Sequence, residues 1–153
     1  MIKKACLLAV AAMMAVPLVM VIMPSATAAA PRGVRITTIY VNPPGPDYRK
    51  NKTLNHEWVR IKNFAGSRRT LTHWILRDKG GNVYRFPRFH LAPGAVVWVH
   101  TGRGINRPHN LYMGRHNFIW NNKIGDTATV RRANGVFVDR CHYTQAENPK
   151  ASC

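Results

Sequence analysis

The chain has 153 residues, and its 23 Lys and Arg against six Asp and Glu give a formal charge of +17 with seven histidines neutral. Such a charge does not choose a fold, but it draws polyanions and raises their rate of encounter. The length suits one domain with its own core and excludes two, and so few acids leave little material for carboxylate or metal chemistry.

Residues 1–30 read as an export signal. Lys3 and Lys4 form a short positive start, residues 5–23 are uncharged and apolar apart from Pro17, and Ser25-Ala26-Thr27-Ala28-Ala29-Ala30 supplies small residues for cleavage after Ala28 or Ala30. The other reading is a membrane anchor, since the run is long enough to cross a bilayer; Pro17, Pro24 and the alanines favour cleavage. Cys6 precedes the apolar run, which speaks against a lipoprotein. The expected location is extracellular. Removal of the signal leaves Cys141 and Cys153, which in an oxidising exterior are expected to pair and close a loop of about a dozen residues. Two free or intermolecularly paired thiols are the alternative.

Residues 31–144 then read as short strands between turns. Residues 34–41 form a first strand that stops at Asn42-Pro43-Pro44-Gly45-Pro46, and the basic stretch to Lys52 follows as a surface loop because proline denies the ladder its donors. Residues 57–63 alternate, with Val59 and Ile61 on one face and Arg60 and Lys62 on the other. Leu71, Trp74 and Leu76 continue the apolar pattern to Asp78. Lys79-Gly80-Gly81-Asn82 is a hairpin turn, and residues 83–86 return from it. Phe89 and Leu91 lead into Ala92-Pro93-Gly94, a turn with Pro second and Gly third. Residues 95–100 make the strongest strand, and residues 101–117 a long polar and basic segment. Trp120 and an Asn121-Asn122 turn precede a closing hairpin, residues 127–131 and 136–143 about Ala133-Asn134-Gly135. Residues 145–153 are a polar tail, frayed unless Cys153 pins it. No window carries three turns of helical periodicity, so the class is all-β, a sandwich or a barrel.

An ordered series of motifs resembles the lamin-tail domain family: Asn55-His56-Glu57-Trp58-Val59-Arg60-Ile61-Lys62-Asn63, then Thr70-Leu71-Thr72-His73-Trp74-Ile75-Leu76-Arg77-Asp78, Phe86-Pro87, Leu91-Ala92-Pro93-Gly94, Thr101-Gly102, Trp120-Asn121-Asn122, Gly125-Asp126-Thr127-Ala128 and Val138-Asp139. The resemblance runs from about residue 36 to residue 143. It implies an immunoglobulin-like β-sandwich without catalysis of its own, in a family whose nuclear lamin members contact proteins and DNA and whose bacterial members occur in exported proteins. By the same resemblance Trp58, Trp74, Asp78, Gly94, Trp120 and Asp126 determine the fold. Arg60, Arg68, Arg69, Arg85, Arg88, Arg103, Arg107 and Arg115 make this chain far more basic than the family pattern.

The sharpest local candidate for binding is residues 101–123. There Arg103, Arg107, Arg115 and Lys123 interleave with Tyr112, Phe118 and Trp120, so that cations could pair phosphates while rings stack on bases or sugars. The alternative is that these aromatics plug the open end of the sandwich and the strand arginines are a solvated outer face. His56, His73, His90, His100, His109, His116 and His142 are scattered without metal-ligand spacing. No catalytic residue, metal site or cofactor is expected. The expected function is a secreted, monomeric binding module for a polyanion, such as nucleic acid, phosphate-rich cell-wall polymer or an anionic membrane. The second expectation is a protein-interaction or envelope-structural module whose charge gives only adhesion or solubility.

Overall fold

The computed structural model describes residues 30–41, 45–46, 50–144 and 150–153. All but the last residue of the export segment, and with it the signal-or-anchor question, lies outside the described residues. Among the described residues are eleven strands and one helical turn: β1 (Val34–Tyr40), α1 (Asn51–Leu54), β2 (Trp58–Asn63), β3 (Arg69–Thr70), β4 (Ile75–Arg77), β5 (Val83–Arg85), β6 (His90–Leu91), β7 (Val96–His100), β8 (Asn110–Tyr112), β9 (Asp126–Arg131), β10 (Phe137–Tyr143) and β11 (Lys150–Ser152). They form a five-stranded sheet in the order β11-β1-β2-β7-β8, a four-stranded sheet in the order β10-β9-β4-β5, and a small β3-β6 pair. This is the all-β, immunoglobulin-like sandwich expected from the motifs.

Period-two alternation builds each layer. Ile36, Ile39, Val59, Ile61, Val97, Val99 and Leu111 turn inward from the larger sheet. Leu76, Ala128, Val130 and Cys141 face them from the smaller one, and Leu71, Phe86, Phe89 and Leu91 fill the space beneath β3 and β6. The turns follow the residue types. Gly94 takes a φ of 70° and Ala95 N–H donates to the Ala92 carbonyl at 3.1 Å, the geometry that Pro followed by Gly prescribes. Buried Asn63 holds that turn in place, donating through Nδ2 to the carbonyls of Leu91 at 3.0 Å and Ala92 at 3.1 Å.

Three elements differ from the sequence reading, one because it is too short and two because of a non-local partner. The loop before β2 ends in the single turn α1, too short to leave a periodic signature. The polar segment after β7 contains β8, which pairs parallel with β7 (Trp98 opposite Asn110, His100 opposite Tyr112). The polar tail supplies β11, which pairs antiparallel with β1. Cys141 of β10 is bridged to Cys153 just after β11, with Cα atoms 5.5 Å apart. The expected disulfide therefore joins edge strands of two different sheets.

Candidate functional site

Acid placement sets the electrostatics. Glu57, Asp78 and Asp126 are buried. Glu57 precedes β2, and its carboxylate accepts from Thr101 Oγ1 at 2.6 Å and from the backbone N–H groups of Ile119 and Trp120, each at 3.1 Å. Burial pushes its carboxyl up to about 8 despite these bonds. Asp126 accepts from the N–H groups of Lys79 at 2.9 Å and Asn121 at 3.2 Å. Asp78 accepts from Asn82 N–H and Nδ2, both at 2.6 Å, and so closes the β4-β5 hairpin. Burial, then the nearby Asp126, Glu57 and Asp78 charges, push the Tyr143 phenol up. Asp139 accepts from the Ile36 N–H at 2.8 Å and pairs with Arg35 at 3.1 Å, the one ion pair between described residues. All four of these acids hold loops or strand edges, and of these four carboxylates Asp139 alone pairs with a cation, Arg35.

The segment singled out in the sequence does not converge on one site. Asn51 and Asn55 clamp the Arg103 backbone, accepting its N–H at 2.6 Å and donating to its carbonyl at 2.8 and 2.9 Å, so Arg103 lies beside α1 at the Glu57 end of the sandwich. Arg107 sits instead in a groove of about 380 Å³ with Arg88 and His90. Arg115 is half-buried and donates from Nη2 to the Val83 carbonyl at 2.7 Å, a tether between loop and β5. Lys123 is exposed, in a turn where Asn121 Oδ1 accepts its N–H at 3.0 Å. Tyr112 is half-buried and stacks on His100, centroids 5.1 Å apart. Trp120 is a correction: it is 2% exposed, packed in the core with no face for a ligand, because Glu57 draws its backbone inward. Phe118 is half-buried.

Among the described residues, a grouping of five arginines lies at the opposite end. A cleft of about 610 Å³ is lined by Arg32, Arg35, Arg68, Arg69 and Arg132, over an apolar floor of Trp74, Phe137 and Val138. Three segments far apart in sequence build it: the entry to β1, the turn into β3, and the β9-β10 hairpin, where Gly135 takes a φ of 82°. Among the described residues no carboxylate lines it. Arg35 is committed to Asp139, while Arg32, Arg68, Arg69 and Arg132 are exposed. A second groove, of about 600 Å³, crosses the outer face of the smaller sheet and carries Arg77, Lys79, Arg85 and Arg131 beside Asp78. The adjacent Arg68-Arg69 and Arg131-Arg132 pairs were visible in the sequence, but nothing local placed the first beside Arg32 or Arg132. Among the described residues no three His, Cys, Asp or Glu side chains are placed to hold a metal.

The family model described as Lamin Tail Domain matches residues 27–145. The chain belongs to the lamin tail domain family. No curated protein matches it. Lamin tail domains are non-catalytic immunoglobulin-like modules for binding and interaction. The lamin tail motifs fall on structural positions here: Gly102 backs onto Asn51 and Asn55, and a Cβ at Gly125 would collide with the Tyr143 and Thr144 carbonyl oxygens.

Proposed function

We propose that this lamin tail domain is a secreted, non-catalytic module that binds a phosphate-rich polyanion, with the arginine cleft as its principal contact. One observation carries the reading: Arg32, Arg68, Arg69 and Arg132 line a single cleft with no carboxylate among the described residues that form it. Guanidinium groups offer forked donors that match phosphate geometry, and uncompensated like charges in one cleft repel each other until an anion enters. Extracellular DNA, a phosphodiester wall polymer and an anionic membrane face all present that chemistry.

Salt dependence tests it. About four phosphate contacts on duplex DNA give a log-affinity slope near −3.6 against log salt, at about −0.9 per contact. Changing Arg68, Arg69 and Arg132 to Gln is expected to flatten the slope to about −1 with the fold unchanged. Binding that ignores salt, or a triple variant that binds as the wild type does, rejects the cleft. The reading of charge as general adhesion or solubility is favoured by the second groove, whose Arg77, Arg85 and Arg131 lie on another face; under it, changes at the two grooves weaken binding equally.

A further inference from the structure

The outer face of the larger sheet is not the polar surface that a solvated sandwich usually presents. Pairing across four strands sets Tyr40, Trp58, His100 and Tyr112 in one row, and Thr38, Arg60, Trp98 and Asn110 in the next. Five of these eight side chains are aromatic or imidazole rings, all partly exposed. Neighbouring strands lie about 4.8 Å apart and same-face neighbours along a strand about 6.6 Å apart, so the rings form a platform about 14 Å wide and two rows deep.

The rings are held in place. Tyr40 and Trp58 stack with centroids 5.2 Å apart and planes 8° apart, and His100 and Tyr112 stack at 5.1 Å and 21°. His100 is locked through both nitrogens, Nδ1 against the Asn55 carbonyl at 2.7 Å and Nε2 against Asn110 Oδ1 at 2.8 Å. The Arg60 guanidinium stands 5.9 Å over the Trp98 ring, and Lys62 is the next outward residue on β2, 4.8 Å over Phe64. The four described acids are all engaged elsewhere, so the charges that the described residues bring to this face are cationic.

We infer that this face is a stacking platform for unpaired bases of a single-stranded nucleic acid. Each stacked pair covers one face of either partner and Gly104 lies against the Tyr112 ring, so Trp98, beside Arg60, is the principal ring for a base; fixed rings beside cations suit a ligand that alternates flat bases with phosphates, and such stacking tolerates any base sequence. A duplex keeps its base faces covered and gains nothing from these rings. The inference deepens the polyanion reading by naming the partner, but uses a different surface from the arginine cleft, so each can fail alone.

The test compares three probes on the mature protein by fluorescence anisotropy at fixed salt: an oligothymidylate, an abasic phosphodiester oligomer of equal length, and a sulfated polysaccharide. The oligothymidylate is expected to bind at least ten-fold more tightly than the abasic oligomer, and Trp98→Ala to remove about ten-fold or more of that preference. Trp98→Phe is expected to restore most of it, and the Arg68, Arg69 and Arg132 variant to weaken all three probes while keeping the ratio. Equal binding of thymidylate and abasic oligomers by the wild type overturns the platform and leaves the cleft standing, a comparison independent of any variant's folding. Tighter binding of the polysaccharide than of thymidylate, lost on Trp98→Ala, overturns it in favour of a glycan. Weak, salt-insensitive binding of every anion rejects the cleft as well.

Discussion

Replacing Glu57 separates the interior electrostatics of this domain from its exterior. The side chain is fully buried and takes three donors, Thr101 Oγ1 and the N–H groups of Ile119 and Trp120. Glu57→Ala orphans all three in a dry site. At about 1–3 kcal/mol for each unsatisfied buried group, the loss is about 3–9 kcal/mol, against a total stability of about 5–15 kcal/mol for a domain. Glu57→Gln keeps the shape and one acceptor oxygen and is expected to lose less. The two variants also differ from wild type in pH dependence. The folded carboxyl holds its proton up to about 8, the unfolded one only to 4.5. Folded protein therefore binds more protons between those values, so this stabilisation is complete below 4.5 and is lost as pH rises through about 8. At about 1.4 kcal/mol per pH unit, the full interval corresponds to about 5 kcal/mol. Urea unfolding at pH 5 and pH 8.5 measures it, with Glu57→Gln as reference so that all other titrations cancel. Wild-type stability that is level or rises relative to the Gln variant between those pH values refutes the argument.

Other expectations follow from single contacts. Changing Cys141 and Cys153 to Ser is expected to cost about 3 kcal/mol through loop entropy and to free β11 from the edge of β1, read as a lower urea midpoint and faster amide exchange at Ile39, whose backbone faces β11. Gly125→Ala forces a Cβ into the Tyr143 and Thr144 carbonyls from a backbone at φ 77°, and is expected to prevent stable folding as judged by circular dichroism. Gly66→Ala, where a Cβ meets open space, is the matched control and is expected to stay within about 0.5 kcal/mol of wild type. Changing Arg103 and Lys123 to Gln is expected to leave polyanion affinity within about two-fold, because neither lines the arginine cleft; a loss equal to that of the Arg68, Arg69 and Arg132 variant returns the site to residues 101–123.

Local pattern determined much of this domain. Alternation at Val59-Arg60-Ile61-Lys62, glycine at the tips of the Gly81, Gly94 and Gly135 turns, and two cysteines behind a basic, acid-poor chain fixed the strand class, the hairpins, the bridge and the sign of the charge. Those features depend on neighbours within a few residues, so composition and spacing reveal them. Tertiary structure alone decided which cations meet. Arg32, Arg69 and Arg132 lie on three elements brought together only when the sheets pack, and Tyr40, Trp58, His100 and Tyr112 form a row only through the register of four strands. Trp120 shows the same limit, since its inward path follows from Glu57, 63 residues earlier in the chain. Strand register and sheet packing join residues far apart in sequence, and no local signal carries that information.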